Sequence, residues 1–212
     1  MLAFTFLLTP RLARASECGA GGNTYWRVTT PELSARFTLD RTNVYCTSGA
    51  VLRGTRRAGE DSTAHTNLFS RDFLNVELGR PLALEHPEGT ANLFVCGSDG
   101  YVYCVDANHG ATQWGRSTKR ATCSSDTIIA TPVAQLRHLS NSNFQNAVAT
   151  DLVFVGTANA CSTTNVNRII AYRADTGAIV WSHNATGTYR YGTIYGMAVD
   201  YERNVLYVTA GG

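Results

Sequence analysis

Three observations predict an all-β fold. Four short strand-like segments recur at long, similar intervals, an eleven-residue pattern ending in tryptophan occurs twice in step with them, and the composition favours strands. Together they specify a partial β-propeller of four-stranded antiparallel blades, about three to four blades of a seven- or eight-bladed ring. The 212 residues are 44% apolar and only 16% charged, with 19 glycines. That is enough for a real core and far from the disordered class.

The recurring segments are Asn43–Gly49, Asn92–Gly97, Asp151–Gly156 and Asn204–Gly211. Each opens on a polar residue, continues through a β-rich run and closes on small residues. Their aromatics, Tyr45, Phe94, Phe154 and Tyr207, lie 49, 60 and 53 residues apart. This spacing suits one four-stranded unit with variable loops.

The second pattern spans Cys104–Trp114 and Ala171–Trp181. Each copy has a small residue first, glycine seventh and tryptophan eleventh. An alternating strand precedes each, Tyr101–Val105 in one and Arg168–Arg173 in the other. The spacing predicts a hairpin: the strand ends, a polar turn follows with glycine supplying positive φ, and the next strand presents a flat ring. Cys104 and Ala171 are the shallow neighbours that such a ring needs.

These residues resemble the tryptophan docking motif of the PQQ-like repeat family (PQQ, pyrroloquinoline quinone), A-x-D-x-x-x-G-x-x-x-W, which locks one blade to the next. Asp106, Gly110 and Trp114 match, with Cys104 in place of alanine. Ala171, Gly177 and Trp181 match, with Arg173 in place of aspartate. Gly22 and Trp26 have the same spacing, so Ser16–Trp26 reads as a degenerate third copy. The resemblance covers residues 90–212 well and 16–60 poorly.

The best-defined blade has strand A at Asp126–Ala134, B at Leu152–Gly156, C at Arg168–Arg173 and D at Ile179–Asn184. A further blade begins at Thr193–Asp200 and reaches Val205–Thr209. Blade repeats therefore fall near 36–60, 90–114, 126–184 and 193–212, within a propeller over 16–212. Half a blade at the end leaves sheet edges exposed, so the remaining blades of the same ring are expected partners. Residues 1–15 have two readings. Leu2–Leu8 with Ala13-Arg14-Ala15 is a signal-like leader, or the chain starts inside a longer gene. The first reading places the protein outside the cytoplasm: secreted, periplasmic or at the cell surface. No apolar stretch is long enough to span a membrane.

In this topology the D–A and B–C loops share one face, and loops on a rigid scaffold carry function. The face is built from Gly115–Ser125, Ala158–Asn167 and Gly187–Gly192, with Ser98–Gly100 as a tight turn. Its candidate ligand residues are Asn159 and Asn165 in a loop rich in Asn, Ser and Thr, and Arg190 and Tyr191, which could stack on a planar ligand. Cys123 and Cys161 come to the same face, either as a disulfide or as two unrelated thiols. Cys96 and Cys104 flank the tight turn. With Asp99-Gly100 as a two-residue loop, Cys96 faces Tyr103 and Cys104 faces Val95, so both are small buried residues rather than a bridge. His109 falls in a strand C–D turn, where solvent exposure is expected.

The chemistry signals are sparse. A net charge of +2 and short basic clusters exclude a nucleic-acid footprint. There is no C-x-x-C, H-E-x-x-H, G-x-S-x-G or phosphate loop, and the five histidines have no metal spacing. Two functions remain. One is a non-catalytic propeller, an extracytoplasmic scaffold or binding module for a protein or a small polar ligand. The other, implied by the resemblance, is a quinoprotein dehydrogenase oxidising alcohols or sugars with PQQ and calcium in the full-length protein. Against the second, the chain lacks the family's paired adjacent cysteines, and Gly212 stands where asparagine would be wanted after Leu206–Gly211. No catalytic or metal-binding residue is assigned, and the whole protein is either an enzyme or a scaffold.

Overall fold

The computed structural model describes residues 23–25, 43–57, 65–85, 91–120, 127–128, 130–137, 150–158, 167–184 and 192–211. Among the described residues, fourteen strands build three four-stranded sheets and one two-stranded sheet, with every pairing antiparallel. The first sheet holds β1 (Asn23–Tyr25), β2 (Asn43–Ser48), β3 (Val51–Arg57) and β4 (His65–Asp72). The second holds β5 (Leu82–Glu85), β6 (Ala91–Cys96), β7 (Tyr101–Asp106) and β8 (Thr112–Ser117). The third holds β9 (Val133–Gln135), β10 (Leu152–Gly156), β11 (Arg168–Arg173) and β12 (Ile179–Asn184). The fourth holds β13 (Ile194–Asp200) and β14 (Val205–Ala210). Strands follow one another in sequence order across each sheet, so this is the up-and-down blade of a partial β-propeller.

One row of side chains crosses every complete sheet. Tyr45, Gly54 and Phe69 are paired in the first, Phe94, Cys104 and Trp114 in the second, and Phe154, Ala171 and Trp181 in the third. An aromatic on the second strand thus faces a small residue on the third, which faces an aromatic on the fourth. The ladder slips immediately after the small residue in all three, between Gly54 and Thr55, Cys104 and Val105, and Ala171 and Tyr172. A bulge at this point re-aims the strand and increases its twist.

In the second and third sheets, burial of the middle strands explains why their sequences are nearly continuously apolar. Side chains alternate across a strand, and here both faces are covered. Phe94 and Cys96 enter a core shared with the third sheet, alongside Trp114, Val153, Val155 and Tyr172. Leu93 and Val95 enter a core shared with the first sheet, alongside Leu52 and Phe69. In β10, Leu152 and Phe154 turn the other way, toward Met197 and Leu206 of the fourth sheet. Polar groups tie the same junction: Gln135 Nε2 donates to Asn204 Oδ1 at 3.0 Å, both residues buried, and Tyr201 Oη donates to the Ala134 carbonyl at 2.6 Å.

The structure changes three sequence readings. The hairpin between β6 and β7 has a three-residue loop, Ser98-Asp99-Gly100. Gly97 N–H bonds to the Tyr101 carbonyl, and Gly100 has φ of 77°. The expected two-residue loop is replaced, and the register moves by one. Cys96 faces Val102, and Cys104 faces Phe94. The first strand of the third sheet is also shorter than Asp126–Ala134. Pro132 has no N–H for the ladder, so regular pairing begins at Val133, and Thr127 makes only an isolated bridge to Ala158. Finally, Asn23–Tyr25, inside the segment read as a degenerate tryptophan copy, is the first strand of its sheet rather than the last. Trp26 itself lies outside the described residues.

Candidate functional site: sheet junctions and the loop face

The tryptophan of the first copy of the repeated pattern meets the turn of the second copy at the junction between the second and third sheets. Trp114 is buried, and its indole N–H donates to the carbonyl of Ala174 in the next sheet at 3.1 Å. Its ring also covers Gly177. A Cβ at that position would stand 2.7 Å from Trp114 Cδ2, and Gly177 has φ of 66°, so both space and backbone require glycine. Phe94 and Tyr172 flank the ring at centroid distances of 5.8 and 6.3 Å. Trp181 packs on Phe154 at 5.6 Å and remains 38% exposed.

The first junction has the same geometry without a tryptophan. Phe69 lies against Gly110, where a Cβ would be 2.5 Å from Phe69 Cδ2, and Gly110 has φ of 72°. Phe69 also covers Gly54, its cross-strand partner. The sequence reading missed this pair because the gap between Gly54 and Phe69 contains residues 58–64, which break the ten-residue interval between small residue and ring.

The two glycine turns share one backbone form. Gly110 N–H bonds to the Asp106 carbonyl and Asp106 N–H to Ala111. Gly177 N–H bonds to the Arg173 carbonyl and Arg173 N–H to Ala178, each at 2.8–2.9 Å. In the first turn Asp106 Oδ1 also accepts from the backbone N–H groups of Asn108 and His109, at 2.9 and 2.7 Å. His109 is exposed, with Nδ1 3.0 Å from that same oxygen. Arg173, which departs from the family pattern, instead pairs with Asp175 through Nε and Nη2 at 3.0 and 2.6 Å. The bonds from Arg173 hold the Asp175 carboxyl down at about 2, below its ordinary 3.8.

At the opposite end of the sheets, links and turns knit into one face. The connection from β4 to β5 bonds to the β2–β3 turn of its own sheet through Leu78 N–H and the Gly49 carbonyl. It bonds to the β6–β7 turn of the next through Ser98 N–H and the Glu77 carbonyl. Thr118, leaving β8, gives both its N–H and its hydroxyl to the Gly100 carbonyl at 2.8 Å. Arg168 Nη2 donates to the Thr118 carbonyl at 2.7 Å, crossing to the third sheet. Asp99 is held within the same face: Tyr103 Oη donates to it at 2.5 Å and the Tyr101 N–H at 3.1 Å. Burial, and then Asp99 itself, push the Tyr103 phenol well above its ordinary value.

Cys123, Cys161, Asn159, Asn165, Arg190 and Tyr191 lie outside the described residues. The loops that carry the two cysteines spring from adjoining backbone, since Thr127 and Ala158 exchange both N–H···O bonds at 3.2 and 2.9 Å. Cys96 and Cys104 are free thiols, 1% and 0% exposed. Burial raises both; Cys104 is pushed up to about 12. Such thiols are neutral packing groups, not nucleophiles. Among the described residues no three His, Cys, Asp or Glu groups are placed to hold a metal ion, and no helix is long and apolar enough to cross a membrane.

The family model PQQ_2, described as outer membrane protein assembly factor BamB, matches residues 98–212, more than half of the chain. Among solved structures, the quinohemoprotein alcohol dehydrogenase from Comamonas testosteroni is similar at a TM-score of 0.55 and 18% identity, over 81% of this chain and 28% of that one. The Saccharomyces cerevisiae protein Sqt1 is similar at 0.60 and 11%, over 80% and 43%. A europium-containing methanol dehydrogenase is similar at 0.50 and 20%, over 69% and 23%. At these identities the likeness is one of fold. The chain spans about a quarter of either dehydrogenase and less than half of Sqt1. No curated protein matches it in sequence.

Proposed function

Because the chain belongs to the PQQ-like repeat family, we propose that it forms part of a non-catalytic, extracytoplasmic propeller that serves as a scaffold or binding module. The observation that carries this reading is how the loop face spends its polar groups. Glu77, Ser98, Gly100, Thr118 and Arg168 bond to one another across the sheets, and Asp99 is closed off by Tyr103 and the Tyr101 amide. These bonds fix one rigid platform, while catalytic groups need free, convergent lone pairs and shifted titrations. The variable loops mounted on the platform would contact a protein or a small polar ligand. Aromatic docking by Phe69 and Trp114 would hold the platform's sheets in place. The name of the matching family model, an outer membrane assembly factor, supports placement outside the cytoplasm.

The second reading is a quinoprotein dehydrogenase, favoured by the names of two structural neighbours. A quinone with calcium needs a cluster of carboxylate and amide oxygens. The described residues do not assemble one: of the two acids on the loop face, Asp99 is already bonded and Glu77 is exposed with its backbone on Ser98, and Leu206–Ala210 lies in the two-stranded sheet with Tyr207 turned to solvent.

The deciding experiment adds PQQ and calcium to the folded full-length protein and follows dye-linked oxidation of alcohols and sugars. The scaffold reading expects no turnover above the protein-free control. Saturable, PQQ-dependent turnover would overturn it. Fractionation of cells expressing the full-length gene tests the location, and a cytoplasmic product would overturn that part.

A further inference from the structure

Two sheets with unrelated local sequences end their last strand in the same way. Two residues after Phe69 stands Arg71, and two residues after Trp114 stands Arg116. Both arginines occupy the same ladder position, opposite Leu52 in one sheet and Val102 in the other. Both reach across to the following sheet and find the same atom. Arg71 Nη1 donates to the Gly110 carbonyl at 3.1 Å, and Arg116 Nε donates to the Gly177 carbonyl at 3.1 Å. Arg116 adds a second bond, from Nη2 to the Thr176 carbonyl at 2.8 Å, and a third, from Nη1 to its own neighbour Gly115 at 3.0 Å. Arg71 lies over the Phe73 ring, 5.2 Å from its centroid.

We infer that each of these junctions is a two-point grip on one glycine: an aromatic ring fills the space where a Cβ would be, and an arginine two residues later binds that glycine's carbonyl. The two contacts do different work. Ring-on-glycine packing is flat and non-directional, so the ring face excludes water without fixing the offset between sheets; only at the second junction does the ring add a directional bond, from the Trp114 indole N–H to the Ala174 carbonyl. The guanidinium is planar and directional, and its bonds to carbonyls are charge-assisted. It therefore sets register at the glycine itself in both junctions, where the ring face supplies burial. Lysine, a point charge with three rotatable donors, cannot reach Gly177 and Thr176 with the same fixed geometry. On the last strand of a sheet, aromatic-x-Arg thus marks a junction even where tryptophan is absent, as at Phe69; the same spacing in the β13–β14 turn, Tyr201-x-Arg203, does not, because Arg203 pairs with Asp200 of that turn.

Amide hydrogen exchange on the intact chain tests this directly. The reporters are the N–H groups of Arg173 and Gly177, which close the second turn, and those of Asp106 and Gly110, which close the first. Arg116→Ala should speed exchange at Arg173 and Gly177 by about tenfold, the scale of one charge-assisted bond, with Val153 and Val155 within about twofold. Arg71→Ala should do the same at Asp106 and Gly110. Arg116→Lys should fail to restore protection, and Lys119→Ala, which removes an adjacent exposed charge, should leave it intact. Unchanged exchange at Gly177 in Arg116→Ala would overturn the inference, as would full protection in Arg116→Lys.

Discussion

The indole N–H of Trp114 and the carbonyl of Ala174 are joined across the gap between two sheets at 3.1 Å, although 60 positions separate them in the chain. The bond is buried, so losing it leaves a carbonyl unpaired as well as a space unfilled. Trp114→Ala should cost about 3–5 kcal/mol in denaturant unfolding, and Trp114→Phe about 1 kcal/mol, the share of the hydrogen bond. Trp181, with the same motif position but 38% exposed, should cost only about 1–2 kcal/mol on truncation to alanine in this chain. Equal losses at the two tryptophans would contradict this account of the second junction.

Thiol labelling gives an independent check on the second sheet. Cys96 and Cys104 are buried and their thiols are held neutral, so alkylation at neutral pH should spare both in the native chain and reach both after unfolding. Site-resolved mass spectrometry distinguishes them from the other cysteines. Rapid native labelling at Cys104 would mean that the junction opens or that Trp114 does not cover it.

Tyr172 supplies a different test. Its side chain is fully buried, and burial pushes its phenol up to about 12. Its hydroxyl has no hydrogen-bond partner among the described residues. Removing an unsatisfied polar atom costs nothing and can help. Tyr172→Phe should change stability by less than about 0.5 kcal/mol, or raise it by up to about 1 kcal/mol. A loss of about 2 kcal/mol would show that the hydroxyl is bonded in solution.

The departure at Arg173 predicts a response to acid. Its bonds hold the Asp175 carboxyl at about 2 rather than 3.8. The folded value lies below the unfolded one, so the pair stabilises the chain above about pH 4, and this contribution fades as the pH falls toward 2. Both groups are largely exposed, so solvent screening should keep the effect small. Asp175→Asn should flatten this part of the stability profile while leaving the glycine turn, which rests on backbone bonds, unchanged.

What could be read from the sequence was what repeats at short range. The aromatics Tyr45, Phe94, Phe154 and Tyr207 all fall on the second strand of their sheets; for Phe94 and Phe154 the reason is that a strand buried on both faces must be nearly continuously apolar. Cys104 and Ala171 face Trp114 and Trp181, because a short turn fixes the register of the strands it joins. The cross-sheet contacts were less legible. Phe69 reaches Gly110 through space, and the insertion between β3 and β4 hides its kinship with the tryptophans. The echo of Phe69-x-Arg71 in Trp114-x-Arg116 was the available signal. The register at Cys96 was misread for a smaller reason: Gly100 adopts positive φ as the third residue of its loop, and one extra loop residue shifts every pair behind it.

The alternation along β10 has an evolutionary consequence. Val153 and Val155 belong to one core, and Leu152 and Phe154 to another. Immediate neighbours in the chain therefore answer to different constraints. A substitution at Val153 should be compensated by a change among its partners in the second sheet, and one at Phe154 by a change in the fourth. Covariation in this strand should skip every other residue, so that mutational history records two interleaved lineages of adjustment within five consecutive positions.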